Sequence, residues 1–405
     1  MAAFTYMGTK KALAGTIDDL CMGFDPGPFM DLFSGISAAG SAIAPKRQIW
    51  CNDAQVFSRT LTEALYLSRE EGPRVDHVRS AILMRGNENL NLLARKARDE
   101  VEEELDALWN RDAERQIALQ SAQMDRAASR RAEWQALHSH CLFTTLYAGT
   151  YLGLAQAMQV DSIRFGADAS LAAGVITAEE HRWALLSICR AVAATSNSTG
   201  HFAQYLTASS ANIKRVTDKR RRCVWSFWSD ALCDLKPIGN ADWRAENRVF
   251  HGDAVDVLRS MSGHAERPAI IYADPPYTND QYSRFYHLLE TVLLYDYPET
   301  DGKGQYRQWR FRSSFSLATK VDDSFREMIA GTARVGADLM ISYPSDGLLV
   351  NSLERIPALI ADHFSEVYDP IIIPHQHSTM GGSKGPQKED VEECIFIGRR
   401  PLQAA

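Results

Sequence analysis

The chain has 405 residues, of which 45% are hydrophobic and 23% charged, and a formal net charge of −7. That length accommodates a large core and two folding units, and the composition is that of an ordinary soluble globular protein. The negative sum argues against a protein that coats nucleic acid nonspecifically, though a localised basic face remains compatible with it.

The N-terminal residues Met1-Ala2-Ala3-Phe4-Thr5-Tyr6 contain no basic region followed by an apolar core. No apolar run reaches spanning length, so no membrane association is expected. Seven cysteines (Cys21, Cys51, Cys141, Cys189, Cys223, Cys233 and Cys394) lie scattered without a C-x-x-C pair. This predicts reduced thiols in the cytoplasm and neither a disulfide frame nor a zinc site.

To about residue 58 the chain alternates short apolar strands with glycine-bearing turns. Phe29 to Phe33 reads as a strand, followed by the small-residue turn Ser34 to Gly40. Gln48 to Asp53 reads as the next strand, so the spacing is that of a βαβ unit. Such a turn places backbone N–H groups and a helix N-terminus beneath a ligand. Asp53 ends the second strand, where an acid can hold ribose hydroxyls. Ser37 stands where a full G-x-G-x-x-G would carry its second glycine.

From about 59 to 245 strand signals are sparse and helix formers abundant. Leu93, Ala97, Val101, Leu105 and Leu108 recur at three- and four-residue steps, and the pattern continues past Ile117 toward Leu137. One long helix or a helical hairpin is expected there. Further helices are expected over Ser139 to Met158, Thr177 to Ala193 and near Gly200 to Leu206. The densest basic run is Lys214-Arg215-Val216-Thr217-Asp218-Lys219-Arg220-Arg221-Arg222, with Trp225, Phe227 and Trp228 close behind. Cations beside aromatics are a nucleic-acid signature; the structural alternative is a solvated helix end above a packed aromatic cluster.

The α/β texture then returns. Arg248 to His251 is a short strand ending at Gly252-Asp253. The run Ala269 to Ala273 reads as a buried parallel strand that closes on Asp274-Pro275-Pro276-Tyr277. Each proline holds the residue before it extended, so a carboxylate and a backbone carbonyl stand as two fixed acceptors beside a ring. Those parts suit a planar base gripped by its exocyclic amine. A helix is expected over Tyr286 to Leu294, and a second basic stretch, Lys303, Arg307, Arg310 and Arg312 with Tyr306 and Trp309, follows as a second candidate DNA contact whose structural alternative is again a solvated face. Leu339 to Tyr343 is another buried strand, and Val367 to Pro374 with Val391 to Ile397 read as a final pair. His375 and His377, without further ligands, do not read as a metal site.

These segments, in this order, resemble the Dam-like DNA adenine-N6 methyltransferases. Tyr6-Met7-Gly8-Thr9-Lys10 is similar to that family's opening Y-x-G-S/G-K motif. Asp31-Leu32-Phe33-Ser34-Gly35 resembles its D-x-F-x-G cofactor loop, Asp53 and Asp253 the acids after the second and third strands, and Asp274 to Tyr277 its catalytic D-P-P-Y. The resemblance implies a doubly wound, Rossmann-like α/β methyltransferase domain over 1–58 and 246–405. The helical insertion at 59–245 would then be a target-recognition region contacting DNA. It implies S-adenosylmethionine as cofactor, with Lys10 near its methionine end, Asp53 on the ribose and Asp253 on the adenine amine. Phe33 would pack near the sulfonium or fill core.

The target adenine would be flipped from double-stranded DNA. Asp274 and the Pro275 carbonyl would accept its amine hydrogens while Tyr277 stacks on the ring. The expected setting is restriction–modification, with a cognate endonuclease, or solitary methylation. The family usually places its recognition region between the third acid and D-P-P-Y, but about twenty residues separate Asp253 from Asp274 here. Either recognition has moved into the insertion or the third acid lies elsewhere. Cytosine-N4 methylation and a DNA-binding specificity subunit with a relic fold are the rival readings.

Overall fold

A computed structural model describes residues 13–136, 140–198, 200–378 and 388–402. In chain order the strands are β1 (Phe29–Asp31), β2 (Ile49–Asp53), β3 (Arg248–His251), β4 (Ile270–Ala273) and β5 (Thr300–Asp301). They continue as β6 (Tyr306–Arg307), β7 (Asp338–Pro344), β8 (Phe364–Val367), β9 (Ile371–Ser378) and β10 (Lys388–Pro401). The chain divides into two compact units.

The α/β unit comprises the described residues up to Glu71, Pro237–Phe285 and the chain from Trp309 onward. Its sheet runs in the order β3-β2-β1-β4-β7-β10-β8, with β9 paired to β10. The first five strands are parallel, and β10 is antiparallel to both β7 and β8. The central strands are apolar because both faces are covered. Met30, Trp50, Ile271, Leu339 and Ile341 pack beneath the helices Ala254–Met261 and Val321–Val335. On the other face, Asp31 and Cys51 meet the segment that begins the helix Ala38–Ile43, through Gly40 and Ser37. This is a doubly wound, Rossmann-like sheet. Its strand order reverses between β1 and β4, the crevice where such sheets bind ligands.

The helical insertion leaves this sheet inside the crossover from β2 to β3. The helix Val56–Leu67 still belongs to the α/β unit, burying Phe57, Leu61, Ala64 and Leu65. The chain departs after Glu71, returns at Pro237, and is tied across that neck by Ile238 N donating to Leu65 O at 2.9 Å. Arg244, only 1% exposed, donates to Ser68 O (2.6 Å), Glu70 O (3.2 Å) and the Glu71 carboxylate (2.7 Å).

The helical unit comprises Gly72–Lys236 and Tyr286–Gln308. Where the apolar period suggested one helix or a hairpin, three helices occur: Val75–Lys96, Arg98–Trp109 and Ala113–Gln135. Ala97 at φ −119° breaks the first pair. Arg111 at φ 54° turns the chain before the second pair, and Asp112 caps the new helix by accepting from Arg115 N. Hydrophobic spacing continues through both breaks, so periodicity alone does not register them. Leu142–Leu146, Leu154–Ala172 and Ala178–Thr195 follow, whereas 200–206 is irregular and contains an isolated bridge from Ser198 to Tyr205. Val75–Lys96 approaches Leu154–Ala172 closely at Gly86, where a β-carbon would lie 2.7 Å from Ser162 O.

The segment 286–308, expected with the sheet, is held by the buried Asp161 and the half-buried Asp168 of the helical unit. Asp161 accepts from Phe143 N (2.8 Å), Thr144 N (2.7 Å), Thr144 Oγ1 (2.6 Å) and the Tyr295 hydroxyl. Asp168 binds His140 (3.0 Å), His181 (2.7 Å) and Arg164 (2.8 Å), and Arg164 also donates to Leu293 O (3.0 Å).

Among the described residues no helix is long and apolar enough to cross a membrane. At the C-terminus three strands (β8, β9 and β10) form where two were expected.

Arg244 fastens the base of the insertion from inside the α/β unit. Replacing it with alanine strands several buried carbonyls, so Arg244→Ala should lower unfolding free energy by about 3 kcal/mol. Arg244→Lys should recover little, because an ammonium lacks the planar fork. Chemical denaturation checks this; a change within about 0.5 kcal/mol would contradict the role.

Candidate active site

A pocket opens at the carboxyl ends of β1, β2 and β4, the ends at which open α/β sheets bind ligands. Its lining includes Asp31, Phe33, Ser34, Gly35, Asn52, Asp53, Asp253 and Asp274 to Tyr277. Parallel pairing puts these groups together, because Asp31 is in register with Cys51 on β2 and with Tyr272 on β4. Each strand therefore delivers its final acid to the same edge.

The turn after β1 is built around two left-handed residues, Gly35 (φ 50°) and Ser37 (φ 55°). Glycine adopts that region freely; serine adopts it at a cost of roughly 1–2 kcal/mol. The buried Ser37 hydroxyl bonds Tyr66 OH at 2.8 Å, which compensates in part. The turn is closed by Gly35 N donating to Asp53 Oδ2 at 2.8 Å and by Ser34 Oγ donating to Asn52 O at 3.0 Å.

Asp53 Oδ1 also accepts from Gln55 N at 2.8 Å. Burial pushes the Asp53 carboxyl up to about 6. Burial pushes Asp31 higher, to about 7, and the neighbouring Asp274 adds to the rise. Asp31 is 2% exposed, and Gly40 N donates to it at 3.4 Å. An acid so placed is costly to ionise unless a cation arrives.

Asp253 caps the helix Ala254–Met261 by accepting from Val255 N at 2.9 Å. Asp274 is half-buried and Pro275 buried. Tyr277 is half-buried against the core, and its carbonyl accepts from Leu348 N at 3.0 Å. Phe33 packs edge-on to Phe315 at 5.2 Å while also lining the pocket. Tyr6, Gly8 and Lys10 lie outside the described residues, as does the 379–387 loop.

Two groups of lining residues were not singled out from the sequence. Asn52 is 1% exposed and donates to Leu32 O (3.1 Å) and Gly252 O (3.2 Å), while its Oδ1 is buried without a hydrogen-bond partner. The second group is Gln281, Tyr282, Ser283, Phe311 and Ser313. Gln281 exchanges two bonds with Ser313 (2.7 and 3.1 Å), and Ser283 Oγ donates to Phe311 O at 2.7 Å. These bonds close a second neck, where the chain leaves after Phe285 and returns at Trp309.

The basic residues expected at DNA separate into three groups. Lys214, Arg215 and Arg221 are exposed. Lys219 and Arg222 both donate to Ala194 O (2.9 and 2.6 Å), at the C-terminus of the helix Ala178–Thr195, where cations are favoured. Burial, then Arg222 and Arg215, push the Lys219 ammonium down to about 8. Arg220 and Arg307 correct the expectation, because both side chains are buried (4% and 9% exposed). Arg220 donates to Gly149 O, and Arg307 forms a two-pronged pair with Asp296 (2.7 and 2.5 Å). Neither presents charge to a phosphate in this conformation. Trp228 is likewise core, donating to Ala184 O at 3.1 Å. Arg310, in the α/β unit, is half-buried.

Residues 234–340 match the family model described as D12 class N6 adenine-specific DNA methyltransferase. The matched segment contains Asp253 and the whole Asp274–Tyr277 turn. Over 414 residues the chain is 26% identical to Type II methyltransferase M.FokI of Planomicrobium okeanokoites, covering 98% of this chain and 53% of that relative. Modification methylase LlaI of Lactococcus lactis subsp. lactis is 24% identical over 330 residues, 80% of this chain and 44% of its own. Type II methyltransferase M.NlaIII of Neisseria lactamica is 32% identical over 106 residues, 25% of this chain and 28% of its own. The chain thus spans about half the length of the first two relatives.

The raised Asp31 carboxyl yields a signed prediction. Its folded value of about 7 exceeds the ordinary 3.8, so the folded state holds the extra proton between those values. Stability without ligand should therefore fall as pH rises from about 4 to 7, and affinity for a cationic ligand should rise over the same range. Asp31→Asn should raise the unfolding midpoint at pH 8 by about 2 °C or more while weakening the binding of a cationic ligand in calorimetry. An unchanged midpoint together with unchanged affinity would contradict the assignment.

Proposed function

We propose that this chain is a site-specific DNA adenine-N6 methyltransferase that uses S-adenosylmethionine. The reading is carried by the convergence of Asp274 and Pro275 with Asp31 and Asp53 on one pocket, within and beside a segment of the D12 class. That class favours adenine N6 over cytosine N4. The retained acids argue against a relic fold that only binds DNA.

The residues present fit the cofactor. Asp31 offers a buried negative charge to a cation, Asp53 places a carboxylate in the pocket wall for ribose hydroxyls, and Asn52 Oδ1 is a buried acceptor with no donor among the described residues. When bound, S-adenosylmethionine supplies an electrophilic methyl group. The protein's task is then to prepare the amine. An adenine N6 is planar and its lone pair is delocalised into the ring. The Asp274 carboxylate and the Pro275 carbonyl accept one amine hydrogen each, which favours a pyramidal nitrogen and frees the lone pair. The proline-held backbone sets both acceptors before substrate arrives, so little reorganisation accompanies the reaction. Tyr277 stacks on the everted base. No thiol lines the pocket, and none is needed as a nucleophile.

The helical unit is the proposed target-recognition element, with Lys214, Arg215 and Arg221 positioned to meet phosphates. M.FokI is a type II methyltransferase and LlaI a modification methylase. By that kinship, the proposed setting is protection of DNA in the cytoplasm beside a cognate endonuclease.

Base mapping of DNA from a methylation-deficient host expressing the chain tests the reading. N6-methyladenine should appear at one short sequence throughout the genome. Asp274→Ala should lower turnover by about 10³-fold while S-adenosylmethionine still binds. N4-methylcytosine, or unmodified DNA with the wild-type chain, would overturn the proposal.

A further inference from the structure

Trp309 is 86% exposed, more than any other large hydrophobic side chain among the described residues. A lone exposed apolar group needs no explanation, but this one leads directly into a braced segment that lines the pocket. Two residues on, Phe311 lines the pocket and its carbonyl is fixed by Ser283 Oγ at 2.7 Å. Ser313 is clamped by Gln281, Ser316 Oγ donates to Asp280 O at 3.1 Å, and Phe315 is locked edge-on between Phe33 and Phe325. The segment is therefore anchored to the same loop that follows Asp274–Tyr277. Arg312 is exposed and Arg310 half-buried, so cationic side chains flank the aromatic ones.

We infer that Trp309 is the wedge that fills the duplex when the target base leaves it, with Arg310 and Arg312 on the adjoining phosphates. This rests on the proposed function and deepens it. Everting a base leaves a gap whose neighbours have lost stacking on one side. A large planar apolar side chain restores part of that stacking, as the apolar wedges of minor-groove proteins do between base steps. Trp309 also lies close in sequence to the residue that lines the destination pocket, so one short segment addresses both the gap and the everted base. Trp109, 80% exposed on the helical unit, has no such pocket-lining neighbour.

The wedge differs from a simple DNA contact in one measurable respect: it matters only while the target is paired. The test uses a duplex bearing the mapped target sequence, in matched form and with an abasic position opposite the target adenine. Single-turnover methylation by Trp309→Ala should be about 30-fold slower than wild type on the matched duplex. On the duplex with the unpaired target it should return to within about threefold. Trp309→Phe should keep most of the matched-duplex rate, and calorimetric S-adenosylmethionine affinity should be unchanged in both variants. An equal loss on both duplexes, or no loss on either, would overturn the wedge while leaving the proposed function standing. Absence of methylation by the wild-type chain on both duplexes would instead remove the function on which the wedge rests.

Discussion

The structure turns on three carboxylates brought together against their own interest. Asp31, Asp53 and Asp274 end neighbouring parallel strands, and the register of β1 between β2 and β4 leaves them no room to separate. Burial pushes Asp31 to about 7 and Asp53 to about 6. Backbone N–H groups of Gly35, Gln55 and Gly40 hold two of these acids in place without neutralising them. On the proposed function, the cofactor's cation and the hydroxyl and amine donors of cofactor and target base complete this site. Its electrostatic discomfort is the counterpart of its selectivity.

The second constraint is that this arrangement must survive two long departures of the chain. One leaves within the β2–β3 crossover and returns at Pro237, where Arg244 and Ile238 close the neck. The other leaves after Phe285 and returns at Trp309, where the Gln281–Ser313 exchange closes it. Each neck is fastened by residues of the α/β unit itself. Loop-closure entropy grows only slowly with length, so a pinned neck lets the excursion be long while the sheet edge stays fixed. The second neck is also the pocket wall, which couples the integrity of that return to the shape of the site.

The parts of the site that were legible in the sequence share a physical reason. The run Ala269 to Ala273 is apolar on both faces and ends at two prolines, so both its strand character and its terminus are local properties. The turn after Asp31 is likewise short-range, and the doubly wound sheet follows from strands separated by small-residue turns. What stayed hidden depends on direction or distance. Arg220 and Arg307 belong to basic stretches, but charge density does not encode which way a side chain points, and both point inward. Tyr286–Gln308 has the apolar period of a helix packing on anything; only the acceptors Asp161 and Asp168, more than a hundred residues earlier, show what it packs on. Asn52 looked like a neighbour of the important acid, and its unpartnered Oδ1 becomes visible only when β1 and β3 lie on either side.

The central claim is that two rigid oxygens grip the amine of an everted adenine. It is tested most directly by the distances around that nitrogen in a crystal of the chain with a duplex containing its target and a non-reactive cofactor analogue. The account predicts the adenine N6 within about 2.7–3.2 Å of both an Asp274 carboxylate oxygen and the Pro275 carbonyl, with the Tyr277 ring against the base. A target base that remains stacked in the duplex, or an N6 held by other groups while Asp274 faces away, would contradict it.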